Sequence, residues 1–132
     1  MSSRSQARQL ALQMLYRKDL NADTPLTDMR EAIEERLDNP DHVEFAYKLC
    51  VNVIEHRAQL DEKIIEVAQN WALDRMAPTD RNALRIGAYE LLFTDTPPRV
   101  VIDEAIEMAK LFGSENSSQF VNEILDKLIP AS

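Results

Sequence analysis

The stretch VVIDEAIEMAKLFGSENSSQFVNEILDKL, Val100 to Leu128, decides the fold. Ile102, Ala105, Ile106, Ala109 and Phe112 fall at the spacing of one helix face. Phe120, Val121, Ile124, Leu125 and Leu128 repeat the pattern, so the stretch predicts two amphipathic helices joined by a polar turn. Gly113 is expected to stop the first helix in a left-handed conformation, and Asn116 or Ser117 to offer a side-chain oxygen to the start of the second.

Working outward, the same periodicity predicts about seven helices and no strand. The first spans roughly Ser3 to Asp19 and buries Ala7, Leu10, Ala11, Met14 and Leu15. A short second helix opens at Thr24-Pro25 and reaches about Leu37. Asn39-Pro40 ends it. Asp41 and Glu44 have the spacing of a reciprocal cap for a third helix that buries Val43, Ala46, Tyr47, Cys50, Val53 and Ile54. A bend is expected between His56 and Gln59, because the next stripe is Leu60, Ile64, Val67, Ala68 and Trp71. Pro78-Thr79 opens a fifth helix to Phe93 that is apolar over more than half its circumference, the mark of a central helix. Gly87 inside it costs about 1 kcal/mol of helix propensity against alanine, so close approach of a neighbouring helix is expected there. Short connections favour antiparallel neighbours. The expected fold is all-α: one compact domain over 1–132, built as two small sub-bundles of approximately 1–77 and 78–132.

The chain has 132 residues and a formal net charge of -8. No apolar run approaches the ~20 residues that span a bilayer, and the N-terminus shows no apolar signal core. The single cysteine excludes an internal disulfide framework and fits a reducing cytoplasm. Charge is unevenly placed. Residues 1–18 hold Arg4, Arg8, Arg17 and Lys18 with no acid, a local +4, which leaves -12 on the rest. A basic end on an acidic body can bind nucleic acid locally, although a solvated helix face is the plainer reading.

No catalytic residue, metal ligand or cofactor site is expected. Two glycines provide no phosphate-cradling loop. His42 and His56 lack the spacing of a metal pair and read as surface or helix-end residues. Cys50 lies in an apolar stripe and reads as a buried structural thiol. Asp103, Glu104 and Glu107 lie on a polar helix face. Trp71, at stripe spacing, reads as core.

Three segments carry a family resemblance. EAIEMAKLFG followed by SxQFVNxIL resembles the C-terminal signature of the NusB family of bacterial transcription antitermination factors. QARQLALQMLYR resembles that family's first helix, and LDEKIIEVAQNWALDRMAPTDRNALRIGAYELL its middle. The three stand in the right order and cover nearly the whole chain, most thinly between about Asn21 and Asp41.

The resemblance implies an all-helical adaptor rather than an enzyme. Its implied partners are boxA-type single-stranded RNA, the ribosomal protein NusE, and the RNA polymerase elongation complex with other Nus factors on ribosomal RNA operons. Carried over residue by residue, it assigns RNA contact to Arg4, Arg8, Asn116, Gln119 and Phe120, and NusE contact to Tyr16, Asp74 and Asp80. Phe120 also starts an apolar stripe, Asn116 also reads as a cap, and Asp80 also complements a helix dipole. The chain departs from the family where Ser5 and Gln6 dilute an arginine cluster and where Glu123 stands in place of a common glycine. The dilution implies weak RNA binding without NusE. Two other readings are a protein-only helical scaffold and a domain like the helical N-terminal region of some ribosomal RNA methyltransferases. Some family members form homodimers, and the sequence does not choose between monomer and dimer.

Overall fold

A computed structural model describes residues 3–69 and 71–130, so the outer ends of the expected domain and Asn70 lie outside the described residues. Seven α-helices are present among them: α1 Ser3–Leu20, α2 Leu26–Arg36, α3 Pro40–Glu55, α4 Arg57–Ala68, α5 Pro78–Phe93, α6 Pro98–Phe112 and α7 Ser117–Leu128. A 3-10 turn at Leu73–Arg75 links α4 to α5. No described helix is long and apolar enough to cross a membrane.

Helix α5 is central, as its wide apolar surface predicts. Every residue from Asn82 to Ala88 is buried, and α1, α3, α4, α6 and α7 all pack on it. Gly87 is the point of closest approach, since a Cβ there would fall 2.6 Å from Leu125 Cδ1 on α7. The α1 core residues are those the periodicity selected, with Leu12 in addition. Helix α4, grouped by sequence with the N-terminal half, packs against α5 and α7 as well as α3.

Several local expectations change. The third helix begins at Pro40 and is capped by Asn39, whose side chain accepts from the Asp41 N–H at 2.8 Å. Proline at the first helical position lacks the N–H that would need a partner, so Asn39-Pro40 starts this helix rather than merely ending the last. In α6 the buried residues are Val101, Ala105, Met108 and Ala109, a stripe turned slightly from the one read off Ile102. Gly113 has φ -99 and ψ -168, extended and not left-handed. Its missing side chain serves packing: a Cβ would land on the Ser117 side chain and 2.7 Å from the Ala109 carbonyl oxygen. At the start of α7 neither reading of the cap holds in its simple form. Asn116 makes no side-chain cap bond, and the Ser117 hydroxyl accepts from the preceding Ser114 N–H at 2.9 Å.

Candidate nucleic-acid and partner interface

The two N-terminal arginines part company. Arg4 is exposed, with its guanidinium 4.8 Å from the centre of the Phe45 ring. Arg8 is 3 % exposed and donates from Nε and Nη2 to the two carboxylate oxygens of Glu90, both at 2.8 Å. Glu104 adds a second charge 3.6 Å from Arg8 Nη1. Burial would lower the Arg8 pKa, but the bond and charge of Glu90, with Glu104, outweigh it and hold the guanidinium above its ordinary value. The expectation that Arg8 grips a phosphate is therefore corrected. Its donors face a carboxylate buried inside the bundle, not solvent.

At the opposite end of α1, Asp19 closes a second network. It accepts from Arg81 Nε at 2.6 Å, Asn82 Nδ2 at 3.0 Å and Arg85 Nη1 at 3.3 Å, while Arg85 also forks onto both oxygens of Asp61. Burial would raise the Asp19 pKa. The bonds from Arg81 and Asn82, with the charges of Arg85 and Arg81, hold it below the ordinary carboxylate value instead. These two networks pin α1 antiparallel to α5 at both ends.

The remaining RNA-assigned residues gather near the N-terminal end of α5, away from Arg8. Asn116 and Gln119 are exposed, and Phe120 is half-buried at the first turn of α7. Trp71, read from sequence as core, is 55 % exposed and meets Phe120 edge-on, ring centroids 5.5 Å apart. The correction has a backbone cause. Helix α4 ends at Ala68 and Gln69 turns to φ 52, so the apolar period stops before Trp71 reaches the core face. The sequence offered no local signal for this tryptophan, because Trp71 continues the apolar spacing of Leu60, Ile64, Val67 and Ala68.

A crevice of about 260 Å³ lies beside the ring pair, lined by Trp71, Phe120, Asp80, Arg75, Asn116 and Ser117 among others. A second crevice of about 160 Å³ shares Trp71 and Phe120 and is lined also by Gln69, Glu123 and Lys127. Arg8 and Asp80 sit ten residues apart along α5 through Glu90, about 15 Å at 1.5 Å per residue. The five RNA-assigned residues thus form two separate places rather than one.

The three residues assigned to NusE also diverge. Tyr16 lines an apolar groove of about 480 Å³ with Met14, Arg36, Thr79 and Phe112. Asp74 is exposed beside Arg81 and Arg57. Asp80 is buried and is among the residues around the crevice beside Trp71 and Phe120. All three surround the N-terminal end of α5.

Cys50 is buried, its thiol 3.7 Å from the Ala11 carbonyl oxygen, and burial pushes its pKa up to about 12. His56 caps the junction of α3 and α4 and packs 4.5 Å from the Phe93 ring. Among the described residues no group of three His, Cys, Asp or Glu is placed to hold a metal ion.

The described residues form an all-helical bundle of the kind found in a family of small regulatory proteins. The NusB family profile matches residues 5–130. The transcription antitermination protein NusB of Anaeromyxobacter dehalogenans is 46% identical over 132 residues, covering 96% of this chain and 90% of that protein. Its counterpart in Elusimicrobium minutum is 44% identical, covering 97% of this chain and 94% of the other. Thermotoga maritima NusB superposes with a TM-score of 0.84 at 36% identity, covering 96% and 89% of the two chains. A NusB chain crystallised with NusE and double-stranded RNA superposes at 0.87 with 32% identity, covering 98% and 97%. The chain belongs to the NusB family, transcription antitermination factors and not enzymes.

Proposed function

We propose that this chain acts in the bacterial cytoplasm with NusE on boxA-type single-stranded RNA, promoting elongation of RNA polymerase through ribosomal RNA operons. The observation that supports the RNA half is the exposed Trp71 ring set edge-on against the half-buried Phe120 in the first turn of α7, an aromatic surface of the kind on which unpaired bases stack. Asn116 and Gln119 flank it, and Arg4 supplies a separate cationic contact at the far end of α1. The NusE face takes the acidic and aromatic surface around the start of α5, with Tyr16 and Asp74 at its exposed edge. A net charge of -8 suits a basic ribosomal partner, because opposed potentials speed encounter and fix orientation.

The test is a gel shift with boxA RNA, with and without NusE, repeated across salt concentrations. Binding is expected to be weak alone and tighter with NusE. Each phosphate neutralised on a single strand adds roughly -0.7 to the slope of log affinity against log salt. Arg4→Ala should flatten the slope by about one such step. RNA affinity that does not change when Phe120 is replaced by alanine would remove this face from the reading. A second reading, the protein-only scaffold, draws on Arg8, whose withdrawal into a buried ion pair removes one expected phosphate contact. It predicts tight NusE binding and no shift of boxA RNA in either condition.

A further inference from the structure

Arg81, near the start of α5, ties together three parts of the chain. Its Nε donates to Asp19 Oδ2 on α1 at 2.6 Å, and its Nη1 donates to the carbonyl oxygens of Met76 at 3.2 Å and Leu73 at 3.5 Å. Those two carbonyls belong to the connection between α4 and α5, which carries Trp71 and Asp74. The connection has little burial of its own. Of its described residues only Met76 is buried and Leu73 is half-buried, while the N–H groups of Trp71, Arg75 and Met76 bond carbonyls three residues back. Local bonds of that kind shape a turn without placing it against the bundle, and a segment with few buried contacts opens at low cost. Asp19 is a firm anchor, since its enclosed carboxylate also accepts from Asn82 and Arg85. The neighbouring Arg85 spends its donors differently, on Asp61, Asp19 and Asn82, all of them side chains on helices.

We infer that Arg81 is a positioning residue of the binding surface: anchored by Asp19, its guanidinium fixes the α4–α5 connection and so presents Trp71 and Asp74 as one preset unit. The inference rests on the RNA and NusE reading given above and deepens it by assigning a role to a side chain that acts through the connection. The 3-10 turn at Leu73–Arg75 contains Asp74 and follows Trp71 at once, so a contact that holds this turn holds both. A guanidinium suits the task because its planar fork reaches a carboxylate and two carbonyls together, in charge-assisted bonds. Lysine offers one ammonium nitrogen, which can keep the charge pair with Asp19 without spanning to both carbonyls. Presetting a surface has a measurable consequence. Its apparent affinity falls in proportion to the fraction of molecules that hold the binding arrangement.

Trp71 is the one tryptophan of the chain, so its fluorescence reports on the connection directly. The experiment compares the full native chain with Arg81→Lys and Arg81→Met. It measures Trp71 fluorescence anisotropy, acrylamide quenching, melting by circular dichroism, affinity for purified NusE, and affinity for a boxA oligonucleotide at saturating NusE. In both variants Trp71 should become more mobile, with anisotropy below the native value and stronger quenching. With about one connection in ten left in place, both affinities should fall about tenfold. Arg81→Lys should melt close to the native protein, which gives its lost affinity a local cause. A native Trp71 signal in Arg81→Lys overturns the clamp. Trp71 released with both affinities unchanged overturns the positioning role, and loss confined to one partner overturns the single unit. If Arg81→Met fails to fold, Arg81→Lys carries the same test. A native chain that binds neither NusE nor RNA defeats the functional reading above, while the Trp71 signal still decides the clamp.

Discussion

Replacing Arg8 with methionine removes a guanidinium that is enclosed with its partner. Both side chains of the Arg8–Glu90 pair are 4% exposed, and two bonds of 2.8 Å join them. Methionine keeps most of the apolar stem, so the cavity is small and the loss is electrostatic. Glu90 is left as a buried carboxylate without a cation, and Glu104 loses its neighbour at 3.6 Å. Breaking a buried pair from one side costs about 3–5 kcal/mol. For a chain of this size that lowers the melting temperature by roughly 12–20 °C. Replacing both partners, Arg8→Met with Glu90→Leu, removes the orphaned charge and should return to within about 2 kcal/mol of the native protein. The measurement is urea unfolding followed by circular dichroism, as a double-mutant cycle, with a coupling of at least about 2 kcal/mol expected. The double variant should also keep the native slope of RNA affinity against salt, since its lost arginine never faced the RNA. A single variant that costs under about 1 kcal/mol, or losses that simply add in the double, would refute the buried pair and return Arg8 to the surface.

Gly87→Ala gains about 1 kcal/mol of helix propensity but drives a methyl into Leu125, which has no exposed surface toward which to move, so a net loss of about 1 kcal/mol is expected in urea melts. Stabilisation would mean that α7 yields. Because the Asp19 pKa is lowered by folding, the stability it adds is fully present above its unfolded value of about 4 and is lost as pH falls through the folded value. The gap between native protein and Asp19→Asn should therefore be wide at pH 7 and narrow toward pH 2.5, and a constant gap would exclude the assignment. Cys50, with its pKa near 12 and its sulfur enclosed, should react with a thiol reagent only after unfolding; native-state labelling at pH 8 as fast as in urea would show it accessible.

The helices were legible because each carries its own record. A face that must be buried recurs every three to four residues, and Pro25, Pro40, Pro78 and Pro98 stand at or just before first turns. The central place of α5 and the close approach at Gly87 follow from one helix being apolar over more than half its circumference. The site was less legible. Trp71 continues the spacing of Leu60 and Ile64, and only the turn at Gln69 takes it off that face. Arg8 and Arg4 look alike in sequence, yet one is enclosed and the other is exposed. The difference is Glu90, 82 residues away.

Periodicity and the placement of prolines therefore determined the helices and most of their buried faces, since these depend on neighbours within a few residues, while the family was legible in three motif resemblances standing in order. Tertiary structure alone decided which charges are free and which are spent on one another. It also decided where Asp80, Trp71 and Phe120 converge. Electrostatic pairing and crevice shape depend on distances between helices, and one-dimensional spacing along a chain does not contain those distances.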